Sequence, residues 1–155
     1  FIDIRPLSWG ERTCIGSLSV LALPAKHLPG RSLCETQSIP QSYLIQGTRT
    51  IFFAGDSGLT SDFREIGANF SIDLALLPIG SYRPAPFRAG HMSPEDALQA
   101  MEMLGAKRMV PIHWGAFRLS LEPVREPARR FLHLLEERRI NPKAILLRPG
   151  EKVLL

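Results

Sequence analysis

Cysteine is scarce in this chain: Cys14 and Cys34 are the only two, and no Cys-x-x-Cys pair exists. A disulfide framework and a thiolate zinc finger are therefore not indicated. Histidine is also short for a self-contained two-metal centre, with four in all and none two residues apart. No apolar run approaches the roughly 20 residues that cross a bilayer, and no stretch has the layout of a signal peptide. Clustered positive charge is missing too. The net charge of +4 favours anionic partners, yet Arg129-Arg130 and Arg138-Arg139 are the only Arg pairs, whereas a nucleic-acid reader carries a basic stripe.

What is there reads as ordered protein. A hydrophobic content of 45% and a charged content of 22% over 155 residues fit one domain with one core. Cys14, in an apolar run, is expected to be a small buried hydrophobe. Cys34, in a polar loop, reads as a plain loop thiol before a metal neighbour. The chain starts with Phe rather than Met, so the expectation is that residues have been removed from, or precede, Phe1.

Along the chain, strand-like and helix-like segments alternate without repeats or linkers. Ile15 to Leu23 predicts a strand ended by Pro24, and a polar loop follows from Leu28 to Gln41. Tyr43 to Gln46 and Arg49 to Ala54, split by Gly47-Thr48, predict a hairpin. Thr60 or Ser61 can cap a short helix carrying Phe63 and Ile66, with Gly67 as its stop. Leu74 to Pro78 is an apolar run suited to a buried strand. Ser93, Pro94 and Asp96 open a capped helix with Ala97, Leu98, Met101 and Leu104 as its stripe and Gly105 as its end. Lys107 to Ile112 predicts a strand. Pro127 to Arg139 predicts a helix burying Phe131, Leu132 and Leu135, stopped by Asn141-Pro142. Ala144 to Leu147 and Val153 to Leu155 predict closing strands. The pattern is β-rich α/β.

Three strand-like runs each end on a metal-competent side chain: Pro24-Ala25-Lys26-His27, Phe52-Phe53-Ala54-Gly55-Asp56-Ser57-Gly58 and Val110-Pro111-Ile112-His113-Trp114-Gly115. Imidazole and carboxylate hold zinc, manganese or iron, and strand ends of an α/β sheet are where such sites gather. Taken singly, each His is a structural residue as readily as a ligand, and Asp56 can be a turn carboxylate. Taken together they point to metal, because Gly55, Gly58 and Gly115 clear space beside Asp56 and His113. The stretch Ser81 to Arg88 brings Tyr82, Arg83, Phe87 and Arg88 between a strand and His91. It reads either as a pocket for an amphipathic phosphate ester, with the Arg pairing phosphate, or as a solvated Pro-rich loop.

These motifs, with Leu-Pro-Ile-Gly80-Ser-Tyr82 and His91-Met-Ser-Pro-Glu-Asp-Ala, stand in an order that resembles the metallo-β-lactamase superfamily. The likeness is strongest to its branch of N-acyl-phosphatidylethanolamine-hydrolysing phospholipase D and related bacterial hydrolases, over Ile15 to the C-terminus. The resemblance implies that His27 and His113 each complete one metal site, that Asp56 bridges both metals and is catalytic, and that two divalent ions, zinc first and manganese or iron otherwise, are the cofactors. His91 matches a family histidine near the substrate pocket, where it binds or protonates substrate; a structural His positioning its loop is the equal alternative. Trp114 falls beside the substrate. His133 matches no ligand and reads as a solvated or packing residue.

The His-x-His-x-Asp-His motif of the family's first half is absent. By resemblance, Phe1 to Leu155 is a single partial domain, the C-terminal half of an αββα metallo-β-lactamase-type sandwich, with the N-terminal half supplied in cis or by another chain. The implied function is metal-dependent hydrolysis of phosphodiesters, phospholipid-type substrates among them. Hydrolysis of a lactone, amide or cyclic phosphate is the alternative. The third reading is a silent half-domain acting through a partner or as a homo-oligomer. Cytoplasmic or peripherally membrane-associated placement is expected.

Overall fold

A computed structural model describes residues 4–27, 39–139, 143–148 and 150–154. Its frame is one six-stranded sheet in the sequential order β1 (Arg12–Ile15), β2 (Leu18–Pro24), β3 (Gln41–Gln46), β4 (Thr50–Phe53), β5 (Leu74–Pro78) and β6 (Arg108–Ile112). The first four strands form an antiparallel meander, while β4, β5 and β6 pair in parallel. Parallel neighbours need crossovers, and α1 (Asp62–Asn69) and α2 (Pro94–Met103) lie in them; α3 (Glu126–Arg138) follows β6.

Strand alternation sorts the side chains onto two faces. Leu21, Leu44, Phe52, Ala75 and Met109 line up across five strands and are all buried. They share one core with Phe63 and Ile66 of α1, Leu98 and Met101 of α2, and Phe131, Leu134 and Leu135 of α3. The opposite face is also apolar. Val20, Ile45 and Ile51, then Tyr43, Phe53 and Leu76, stand in register across it and remain partly exposed.

The Ser93 capping box forms as its sequence indicates: Ser93 Oγ accepts from Asp96 N, and the Asp96 carboxylate accepts from Ser93 N. Gly105, at φ 58, takes the left-handed position just past α2.

Several expectations are corrected. Ile15 to Leu23 is not one strand, because Gly16 at φ 58 turns the chain between β1 and β2. Cys14 is exposed, since β1 is the edge of the sheet. Gly67 lies within α1 rather than ending it; a Cβ there would stand 2.6 Å from the Met103 carbonyl oxygen, so its smallness lets α1 approach α2. Ser61 is the N-cap of α1 but makes no side-chain cap, and Thr60 Oγ1 accepts from Asp62 N instead. Leu132 is exposed because Phe131, Leu134 and Leu135 occupy the buried stripe. Ala144 makes a lone bridge to Met109, and no strand forms at 150–154. Asn141-Pro142, Cys34 and most of the Leu28 to Gln41 loop lie outside the described residues.

Candidate metal centre

Strand direction decides where the candidate ligands meet. Because β3 is antiparallel to both β2 and β4, strands β2, β4, β5 and β6 all run the same way. His27, Asp56 and His113, each just past the end of its strand, therefore emerge at one end of the sheet. His91 arrives from the segment between a 3-10 turn at Ala85–Ala89 and α2.

Backbone ties between these loops hold them together. Lys26 N donates to Ser57 Oγ (3.0 Å) and Gly58 N donates to Lys26 O (2.8 Å), which joins the His27 loop to the Asp56 loop. Gly58 in turn lies against the 3-10 turn, where an added Cβ would sit 2.6 Å from the Ala89 carbonyl oxygen. Gly80 packs on His113 so closely that a Cβ would be 2.2 Å from the His113 carbonyl oxygen. His113 itself has φ 56, a conformation that L-residues adopt rarely.

The side chains converge accordingly. The His91 ring lies 4.8 Å from that of His27 and 5.9 Å from that of His113, centroid to centroid. His113 Nε2 is 3.3 Å from Asp56 Oδ1. One ligand atom each from His27, Asp56 and His91 falls within 4.8 Å of the others. Tetrahedral zinc ligands at about 2.0–2.1 Å from the ion are roughly 3.3–3.4 Å apart, so a modest inward movement of these side chains would bring three donors to the spacing of such a shell.

Second contacts set the imidazole tautomers. His27 Nδ1 lies 3.1 Å from Gly90 O and His91 Nδ1 lies 3.2 Å from Phe87 O. A ring nitrogen facing a carbonyl carries the proton, which leaves Nε2 as an unprotonated donor to metal. Burial pushes the His91 imidazole below its ordinary range, against the opposing pull of the Phe87 carbonyl. Among the described residues, His113 Nδ1 is buried without a hydrogen-bond partner. Three imidazoles and one carboxylate gathered in this way fit a divalent transition ion.

The structure groups His91 with His27 and Asp56 as potential ligands, beyond the substrate role assigned to it from sequence. Trp114 lines the same cleft as His113, its indole N–H donating to Pro111 O at 3.1 Å. Phe87 is partly exposed, 6.3 Å from the His91 ring. Tyr82, Arg83 and Arg88 instead line a neighbouring cleft. Tyr82 is buried and its phenol bonds to Glu126; burial first, then that carboxylate, pushes its ionisation up. Arg83 pairs with Glu126 at 3.1 Å and Arg88 with Asp96 at 2.7 Å. His133 is exposed on α3.

Sequence reasoning missed Glu122. It is 4% exposed and accepts from Tyr82 N and Arg83 N, both at 3.2 Å, locking the loop after β5 to the loop after β6. Its one signal was an acid enclosed by apolar neighbours in Leu-Ser-Leu-Glu122-Pro-Val.

A family model described as the beta-lactamase superfamily domain matches residues 1–114, well over half of the chain. The chain belongs to the β-lactamase superfamily. An uncharacterised protein of Mycobacterium tuberculosis is 36% identical over 97% of this chain and 41% of its own length. A mitochondrial N-acyl-phosphatidylethanolamine-hydrolysing phospholipase D of Saccharomyces cerevisiae is 35% identical over 86% of the chain and 31% of its own length. Among solved structures, Igni18, a metallo hydrolase of the archaeon Ignicoccus hospitalis, superposes with a TM-score of 0.71 at 25% identity, over 95% of this chain and 58% of that one. This superfamily member thus spans less than half the length of those curated relatives. Its mixed α/β sheet, with three helices on one face, is that of the metallo-β-lactamase fold. No helix among the described residues is long and apolar enough to cross a membrane.

Proposed function

We infer that the chain is the C-terminal half of a metallo-β-lactamase-type sandwich and contributes half of a two-metal hydrolytic centre for phosphodiesters. The convergence of His27, Asp56, His91 and His113 at one end of the sheet carries this reading. Asp56 would bridge the two ions, and His27 and His113 would complete one site each. Zinc is the first choice for this donor set. When bound, such a pair supplies a water of lowered pKa and neutralises charge on the attacked oxygen.

The protein's own groups do the rest. Gly90 O and Phe87 O orient His27 and His91, so that their Nε2 lone pairs face the centre. His91, whose ring meets those of both His27 and His113, would bind or protonate the substrate. Trp114 walls the cleft beside His113. The name of the yeast relative supports a phosphodiester over a lactone, an amide or a cyclic phosphate. The apolar second face of the sheet supports a partner layer, because contiguous apolar surface across several strands rarely stays open to water. The N-terminal half, in cis or as a separate chain, is its occupant in this reading, and a silent self-associating half-domain is the competing one.

The test is chelation and metal return on the full-length protein, with a phosphodiester and a lactone offered in parallel. Turnover of the diester that zinc or manganese restores is the expected result. Asp56→Ala should then abolish turnover while leaving circular dichroism unchanged; a variant that stays active removes Asp56 from the bridging role. Turnover of the lactone alone would replace the substrate class. Failure with both substrates, together with a native mass spectrum showing a metal-free self-associated species, would favour the silent half-domain.

A further inference from the structure

Three guanidinium groups meet at one cleft that contains none of His27, Asp56, His91 or His113. The cleft measures about 700 Å³ and takes Arg83 from the loop after β5, Arg88 from the 3-10 turn and Arg130 from α3. Each Arg is held from one side by a carboxylate: Arg83 by Glu126, Arg88 by Asp96 and Arg130 by Glu95. Each is still about half exposed.

Such pairing preorganises the groups without exhausting them, since a guanidinium has five N–H donors. Arg88 gives Nε and Nη2 to Asp96, and among the described residues no bond from its Nη1 is seen. Of the three carboxylates only Glu95 lines the cleft, so the other two hold their arginines from behind its wall. Ser93, the N-cap of α2, lines it as well.

This cleft adjoins the metal centre through a shared wall. Ser81, Ser120 and Glu122 line the cleft of His113, while their neighbours Tyr82 and Leu121 line the cationic one. The two wall segments are joined by Leu121 N donating to Arg83 O at 3.3 Å and by the Glu122 bonds to Tyr82 N and Arg83 N. An anion that these arginines bind is therefore not the group at the metal centre but a second one beside it.

We propose that the Arg83–Arg88–Arg130 cleft is a second anion-binding site, taking a phosphate-type group by multidentate guanidinium contacts. Planar Arg forks match the oxygens of a tetrahedral phosphate, and three of them can engage different oxygens of one group. The anion is either a second charged group of the substrate or free phosphate or pyrophosphate acting on the enzyme. Only the substrate source rests on the hydrolase reading above; the site itself stands without it.

The experiment is calorimetric titration of metal-stripped full-length protein with pyrophosphate, so that the metal centre cannot hold the anion. One saturable site is expected, weakening with salt. Arg88→Gln or Arg130→Gln should raise Kd at least about tenfold, because each removes a charge-assisted pair of bonds. Arg130→Lys should fall between, and Arg129→Gln, an exposed neighbour outside the cleft, should leave Kd unchanged. Unfolding midpoints of all variants, measured in the same buffer, separate lost binding from lost structure. Absence of saturable binding, or equal affinity in the cleft variants and Arg129→Gln, would overturn the proposal. With the metal-loaded protein, pyrophosphate competing only against substrates that carry a second anionic group identifies the substrate source, and inhibition independent of that group identifies the free anion. A loaded protein without turnover removes the hydrolase reading and leaves the titration intact.

Discussion

Gly80→Ala is the sharpest probe of how the sheet holds the metal centre. The added methyl would lie 2.2 Å from the His113 carbonyl oxygen, whereas real contacts of this kind start near 3.0 Å. The ends of β5 and β6 would have to part by about 1 Å, and overpacking of this sort costs roughly 1–3 kcal/mol. Ile79 N donates to Ile112 O at 3.1 Å one residue away, so parting the strands would weaken that bond too. Its loss adds about 0.5–1.5 kcal/mol. A total of about 2–4 kcal/mol corresponds to a fall in Tm of roughly 5–15 °C for a domain of this size. His113 would move with the strand end, and displaced support of a ligand typically costs about 10–100-fold in metal affinity. Gly67→Ala is the control: its methyl would meet the Met103 carbonyl at 2.6 Å, between α1 and α2 and away from the ligands. Urea unfolding and zinc titration of both variants in the full-length protein give the comparison. Both should lose stability, and only Gly80→Ala should lose zinc affinity. Equal zinc binding by the two, with Gly80→Ala destabilised, would refute the claim that this contact positions His113.

Ser93→Ala removes the oxygen that accepts from Asp96 N at 3.3 Å, and should cost about 1 kcal/mol by urea unfolding with the m-value unchanged. Asp96 sets an acid limit on the start of α2. Burial alone would raise its carboxyl, but hydrogen bonds from Arg88 and Ser93 reverse this and hold it below the usual carboxylate range. A depressed carboxylate stabilises the fold above its unfolded pKa near 3.8 and loses that contribution as pH falls through the lower folded value. Urea midpoints between pH 5 and pH 2 should therefore fall more steeply in the wild type than in Asp96→Asn, and parallel curves would show that the carboxylate is not the cause.

What the sequence discloses tracks how local the determining forces are. Leu74–Pro78 appears as the strand read from its apolar run, because burial on both faces and a proline at its end are written in five consecutive residues. The α2 cap is equally local, being complete within Ser93 to Asp96. By contrast, the β1–β2 turn was hidden inside a continuous alternation, since Gly16 interrupts the direction of the chain without interrupting its pattern. Gly67 looked like a stop because a glycine near a helix end usually is one; its actual constraint comes from a carbonyl on α2, far along the chain. The carboxylates that hold the arginines of the Ser81 to Arg88 stretch were not legible in the sequence. Asp96 lies eight residues from Arg88 and Glu126 lies 43 from Arg83, distances at which only the folded chain reveals a pairing.

The same distinction explains why the candidate ligands could be named before the fold was known, while the contacts that support them could not. His113 follows β6 directly, and His27 and Asp56 stand three residues past the ends of β2 and β4, so each position is announced by the strand that precedes it. Their orientation is set by other loops: Ser57 by accepting from Lys26 N, Gly90 by its carbonyl beside His27, Gly80 by its approach to His113. No spacing rule predicts these contacts, because each joins segments that only the direction of β2, β4, β5 and β6 brings to one end of the sheet. Asp56 and His113 stay partly exposed while the loops around them are tied. The loops that carry the candidate ligands are thus tied to one another while solvent still reaches Asp56 and His113, and the apolar second face of the sheet is where the partner layer inferred above would sit.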